Sequence, residues 1–180
     1  MARVRDIYNY TNPRYAGVRD PMRRVVGAYQ NANRFLDTVQ EWVYIETGMI
    51  HTSRMIHNLA HKMPEQFDRV ADMLHERHLM VEYPATPELT EEIGTMDRAF
   101  EIVIECLNEV QEALERFRAV TDDPELRPMT LMSEEFMAEL SGYYTKVLAA
   151  WNMWDQGVSP SSFDNWILHL MEEEEEGEDD

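Results

Sequence analysis

The chain has 180 residues, 44% of them hydrophobic, and carries 35 acidic against 16 basic side chains for a formal net charge of −19. That length and apolar content suffice for one core, so a single domain is expected, and the lone Cys106 excludes a disulfide framework or a cysteine-based metal cluster. The charge favours cations over nucleic acid as partners; with no run of eighteen uncharged apolar residues and no apolar segment behind the first arginines, a cytoplasmic chain with no membrane span is expected.

Residues 1–20 read as an N-terminal arm, and over the first 24 residues Arg3, Arg5, Arg14, Arg19, Arg23 and Arg24 outnumber Asp6 and Asp20. Arginines of this kind can touch phosphates, but solvating a terminus is their commoner role. Seven glycines and eight prolines leave long segments with 3.6-residue periodicity, which predicts an all-α fold whose four main helices occupy residues 21–157. The first runs from Pro21 to about Thr47 and stops at Gly48. It buries Ala28, Ala32, Phe35, Leu36, Val39, Trp42 and Val43, with Glu46 the one acid on its core side.

Thr52 or Ser53 is predicted to cap a second helix reaching about Val81, kinked at Pro64, with Leu59, Met63, Phe67, Val70 and Leu74 turned inward. Tyr83–Glu92 is a linker expected to cross along or over the bundle. The third helix, about Thr95 to Val120, turns Val103, Leu107, Val110, Leu114 and Phe117 inward and Glu101, Glu105, Glu109 and Glu112 outward. The fourth, capped by Ser133 and ending at Gly157, buries Phe136, Leu140, Tyr143, Tyr144, Val147, Trp151 and Trp154, and no carboxylate is expected on the inner faces of these two helices. Residues 158–171 form a short amphipathic helix around Phe163, Trp166, Ile167 and Leu170, and the acidic tail 172–180, with eight of the 35 acids, is expected to be disordered by mutual repulsion. Helices of this length and order match an antiparallel four-helix bundle.

One stretch stands out within the second helix. HNLAHKMPEQFDRVADMLHERH, His57 to His78, holds four of the six histidines, interleaved with Glu65, Asp68, Asp72 and Glu76. At roughly 100° per residue, His57, His61, Glu65, Asp68, Asp72 and His75 fall within about a quarter turn, opposite the apolar face, with Glu76 beside them. The stripe therefore points away from the core. Imidazole and carboxylate one turn apart can chelate iron or zinc, and a solvated face with local pairing between histidine and acid explains the same spacing.

The register His57-x3-His61-x10-Asp72-x3-Glu76-Arg77 resembles the second helix of the Dps-like branch (DNA-binding protein from starved cells) of the ferritin-like superfamily, where His-x3-acid-x10-Asp-x3-Glu-Arg holds ferroxidase ligands. The likeness covers about residues 41 to 84. It departs from the family pattern at His61, which replaces an acid, at Glu41-Trp42, which replaces a histidine beside tryptophan, at Pro64, and at Glu82-Tyr83, which replaces a Gly-Gly turn.

The resemblance implies a ferritin-like bundle whose subunits share iron sites across two-fold interfaces of a dodecamer. His57, His61, Asp72 and Glu76 would be metal ligands, Glu41 a fifth donor, and Glu65, Asp68 and His75 ligands of a second ion or hydrogen-bonding partners of the first set. The implied function is ferroxidase activity, Fe(II) oxidation by peroxide or dioxygen, with iron storage and detoxification in a hollow homo-oligomer; zinc is a second candidate ion. A ferritin-like bundle without iron chemistry, acting as an assembly or interaction module, is the alternative. DNA binding is not expected at this net charge.

Overall fold

A computed structural model describes residues 15–90 and 92–178, with side chains described through Glu172. Residues 1–14 of the expected arm, and the acidic side chains from position 173 onward, lie outside the described residues. Among the described residues the fold consists of five α-helices and contains no strand. None of these helices is long and apolar enough to cross a membrane.

Helix α1 spans Arg19–Trp42, with Pro21 in its first turn, and buries Ala28, Ala32, Leu36 and Val39 as its periodicity predicts, with Phe35 and Trp42 half-buried. It then widens into a π-helical turn, Val43–Thr47, and stops at Gly48, whose φ of 71° is left-handed backbone that glycine adopts without a Cβ penalty. The wider turn alters the register beyond Val43. Glu46 consequently faces solvent and not the core side expected of it.

Helix α2, Ile50–Glu76, continues as one helix through Pro64. Thr52 and Ser53 are not its caps. Both are buried in its first turn, and Asp164 caps the helix from a distant segment, accepting from the amides of His51 (3.2 Å) and Thr52 (2.8 Å) and from the Thr52 hydroxyl (2.8 Å). The helix also ends before Val81. His78 takes a left-handed φ of 57°, and the Leu79 amide donates back to the Leu74 carbonyl at 2.9 Å, closing the last turn in the manner of a Schellman motif.

Residues 82–90 and 92–94 lie along α1. Glu82 pairs with Arg19 at 2.6 Å, and Pro84 packs on Gly27 so closely that a Cβ there would lie 2.8 Å from the proline ring. Further on, Leu89 shares a hollow with Phe35, and Glu92 and Gly94 share one with Trp42 and Glu46. Thr95 then caps α3 (Met96–Val120), accepting from the Arg98 amide at 3.2 Å. The predicted inner face of α3 is buried, and Glu101, Glu105, Glu109 and Glu112 are exposed as expected. Burial pushes the Cys106 thiol up to about 12, with Glu109 and Glu105 adding to the shift, so this cysteine is a neutral, inert core residue.

A short 3₁₀ turn, Pro124–Leu126, leads into α4 (Arg127–Asp155). Its start precedes the expected one by about two turns. Ser133 is therefore mid-helix and buried, and it donates to the carbonyls of Met129 or Thr130 instead of capping. Helix α5, Pro160–Glu178, is longer than the short helix predicted for residues 158–171, and seats Phe163 and Ile167 in the core.

α1 packs against α2 and α3, α3 against α4, and α5 against α2. Tyr29, Phe100, Phe117, Phe136 and Phe163 are fully buried, and each such side chain contributes about 1.5–3 kcal/mol relative to exposure. A carboxylate does enter the inner side of α4, contrary to expectation. Glu139 is half-buried and accepts from Gln66 Nε2 at 2.6 Å and from Arg69 at 2.9 Å, while Arg69 also pairs with Glu135 and stacks over Phe136. Burial and the nearby Glu139 charge raise the Tyr29 hydroxyl far above its ordinary value, so it stays neutral.

Candidate metal centre

The apolar residues of α2, from Ile56 through Leu59, Met63, Val70 and Leu74, are buried against the other helices. That rotation leaves His57, His61, Glu65, Asp68, Asp72, His75 and Glu76 all exposed on the outside. Hydrophobic burial on one side thus presents the donor stripe on the other.

Two of these donors meet. His57 and His61 stand edge to face, with ring centres 4.4 Å apart at 83°, and their Nε2 atoms are 3.1 Å apart. Without a metal, one Nε2–H donates to the other ring nitrogen. The same spacing lets both nitrogens reach one ion at the ~2.0–2.1 Å of a metal–imidazole bond. Behind them, Asp37 of α1 places Oδ1 4.0 Å from His57 Nδ1. That distance is an ion-pair approach and not a hydrogen bond; a closer approach would favour the Nδ1–H tautomer and leave Nε2 to bind an ion.

The other donors stay apart. Asp72 and Glu76 lie fifteen residues beyond the histidines, about 22 Å along the helix at 1.5 Å per residue. Glu76 contacts Arg77 at 3.3 Å, and Glu65 pairs with Lys62 at 3.1 Å. Asp68, Asp72 and His75 have no ion-pair partner among the described residues. Glu41 is exposed beside a polar hollow that it shares with Arg34, Asp37, Thr38 and Thr86, one turn beyond the acid that approaches His57. No group of three or more histidine, cysteine, aspartate or glutamate side chains placed to hold a metal occurs among the described residues. One chain therefore supplies a two-imidazole clip with a carboxylate behind it, and a second half-set of acids a helix-length away.

Asp37 and Asn33 are the site residues that sequence reasoning missed. Asn33, Asp37 and Glu41 recur every four residues on one edge of α1, a spacing that marks a shared face without saying which residue of α2 lies opposite.

No protein-family model matches the chain, and no curated protein matches it in sequence.

Proposed function

We propose that this protein is an antiparallel, ferritin-like four-helix bundle that binds Fe(II) on the outer face of α2, at sites shared between two copies, and promotes its oxidation for storage in a hollow homo-oligomer. Two features support the topology. Asn33 bonds to Ala60 while Gln40 bonds to Ser53, so α2 returns along α1. The Glu82–Gly94 linker then travels the length of α1 before α3 begins, as the single long crossover of a ferritin-like bundle must.

The observation that carries the site is the division of donors along α2. His57 and Glu76, like His61 and Asp72, are centred on the same point between Gln66 and Phe67. A two-fold axis there sets the imidazole clip of one copy against the carboxylates of the other, completing a mixed nitrogen and oxygen donor set that suits iron, with zinc a competitor. Phe67 is half-buried against an exposed Tyr83, 5.7 Å between ring centres, which gives that midpoint apolar surface to bury. Glu65, Asp68 and His75 lie between the two donor sets, where they orient ligands or hold a second ion. Glu41 is a weaker candidate than Asp37, because it is Asp37 that approaches His57.

In the proposed reaction each Fe(II) gives one electron to dioxygen or peroxide. The protein's part is to hold the ion, and its negative charge raises the local cation concentration. Anaerobic loading with Fe(II) followed by air should give faster oxidation in the wild type than in a His57→Ala, Asp72→Ala variant. Equal rates would reject the proposal.

The alternative, an assembly module without iron chemistry, draws support from Tyr44, Ile45 and Ile50, which leave apolar surface exposed at the α1–α2 corner. It predicts oligomers indifferent to chelator.

A further inference from the structure

Lysine is nearly absent from this protein. Lys62 and Lys146 are the only two in the sequence, and every other permanent side-chain cation is an arginine. They come from α2 and α4, yet both line one cavity of about 240 Å³ between α2, α3, α4 and α5. Leu59, Phe100, Val103, Val147 and Leu170 give it an apolar lining, to which Asn58 and Tyr143 add polar groups. Interhelical cavities with apolar walls and a few polar groups at the mouth are where helical bundles take small molecules.

The choice of cation suits such a mouth. Lysine lays its methylenes along apolar surface and presents a compact charge on a flexible stem, whereas arginine's planar fork serves fixed ion pairs. Arg69 and Arg98 do the latter here, each bridging two glutamates. Lys62 is half-exposed and bonds to Glu65 at 3.1 Å, an exposed pair one turn apart that contributes little and yields to a competing anion. In a chain with a net charge of −19, both lysines line this one slot.

We infer that this cavity binds an amphipathic monoanion, with an alkyl or acyl chain in the slot between the helices and a carboxylate at Lys62 and Lys146. Apolar burial supplies the affinity and the two ammonium groups select the charge. The pocket lies on the other side of α2 from the donor stripe, joined to it only through the Lys62–Glu65 pair, and chelator in the titration keeps metal from entering the result.

Calorimetric titration of the full-length protein, with chelator present, tests it using three probes that share one chain: decanoate, decanol and decyltrimethylammonium. Decanoate should bind saturably, one per chain, at least about tenfold more tightly than decanol, and the ammonium compound more weakly still. Phe100 stacks on Trp151 with ring centres 6.0 Å apart, so tryptophan emission should change with occupancy. In a Lys62→Met, Lys146→Met variant the preference for decanoate over decanol should vanish while decanol binding stays as it was. The inference is overturned by equal wild-type affinity for the acid and the alcohol, or by a preference that survives in the variant. It is overturned also by no decanoate binding, which would leave acidic groups of the chain itself as the lysines' partners.

Discussion

Pro64 carries no amide hydrogen, so the Ala60 carbonyl loses the donor that a helix would place four residues later. Asn33 of α1 supplies it, with Nδ2 3.0 Å from that oxygen. One side chain thus repairs α2 and fixes its register on α1. Asn33→Ala should cost about 1–3 kcal/mol, the range for a buried acceptor left unpaired. In a Pro64→Ala background, where the substituted residue can donate its own amide, the cost should fall below about 0.5 kcal/mol. Urea denaturation of the four proteins measures this, and an unchanged cost in that background would show that the Asn33 amide serves something else.

Charge acts at the same scale on α3. Partial burial, followed by repulsion from Glu105 and Glu112, raises the Glu109 carboxyl above its ordinary value. A raised acid binds its proton more tightly in the folded state, so its ionised form opposes folding at neutral pH and the penalty disappears once pH falls below the ordinary carboxylate range. Glu109→Gln should therefore stabilise the protein by about 0.5 kcal/mol at neutral pH, the size of one or two like-charge pairs on a helix. Melts in acid should show no such gain. A benefit that persisted there would have a cause other than charge.

Among the elements, α5 has the least predictable role. Its periodicity shows which side Phe163 and Ile167 occupy, and both are fully buried. Nothing in the local sequence shows that Asp164, between them, caps α2 from 112 positions away. Caps found by spacing alone, Thr52, Ser53 and Ser133, proved to be buried residues within helices, whereas Thr95, where the third helix was expected to begin, is the cap of α3. Asp164→Ala should cost about 1–2 kcal/mol, the upper range for losing an N-cap, and speed amide hydrogen exchange at His51 and Thr52. Asp164→Asn keeps one acceptor oxygen and should lose less. If both substitutions leave exchange at those amides unchanged, α5 does not hold the start of α2.

At the scale of the whole molecule, the proposed metal site exists only when two copies meet. A metal that binds the folded assembly and not the unfolded chain adds about 2.7 kcal/mol at a hundredfold excess over Kd. For a chain of this size that corresponds to a rise in Tm of roughly 5–10 °C. Zn(II), which avoids redox chemistry, should produce this shift together with a higher mass in light scattering, and chelator should reverse both. His61→Ala should abolish the shift. A Tm and mass indifferent to metal and chelator would favour the assembly module.

Helix faces were legible in the sequence because they depend on a local period. Burial of Val103, Leu107, Val110, Leu114 and Phe117, and exposure of the stripe from His57 to Glu76, follow from residues three and four apart on a single helix. The all-helical class follows from the same periodicity. Which residue of one helix lies opposite which residue of another depends on rotation and axial register, and these are set by packing across the whole core. Tertiary structure alone therefore decided that Asp37 and not Glu41 approaches His57, that Asn33 answers Pro64, that Asp164 caps α2, and that the chain's two lysines share one cavity.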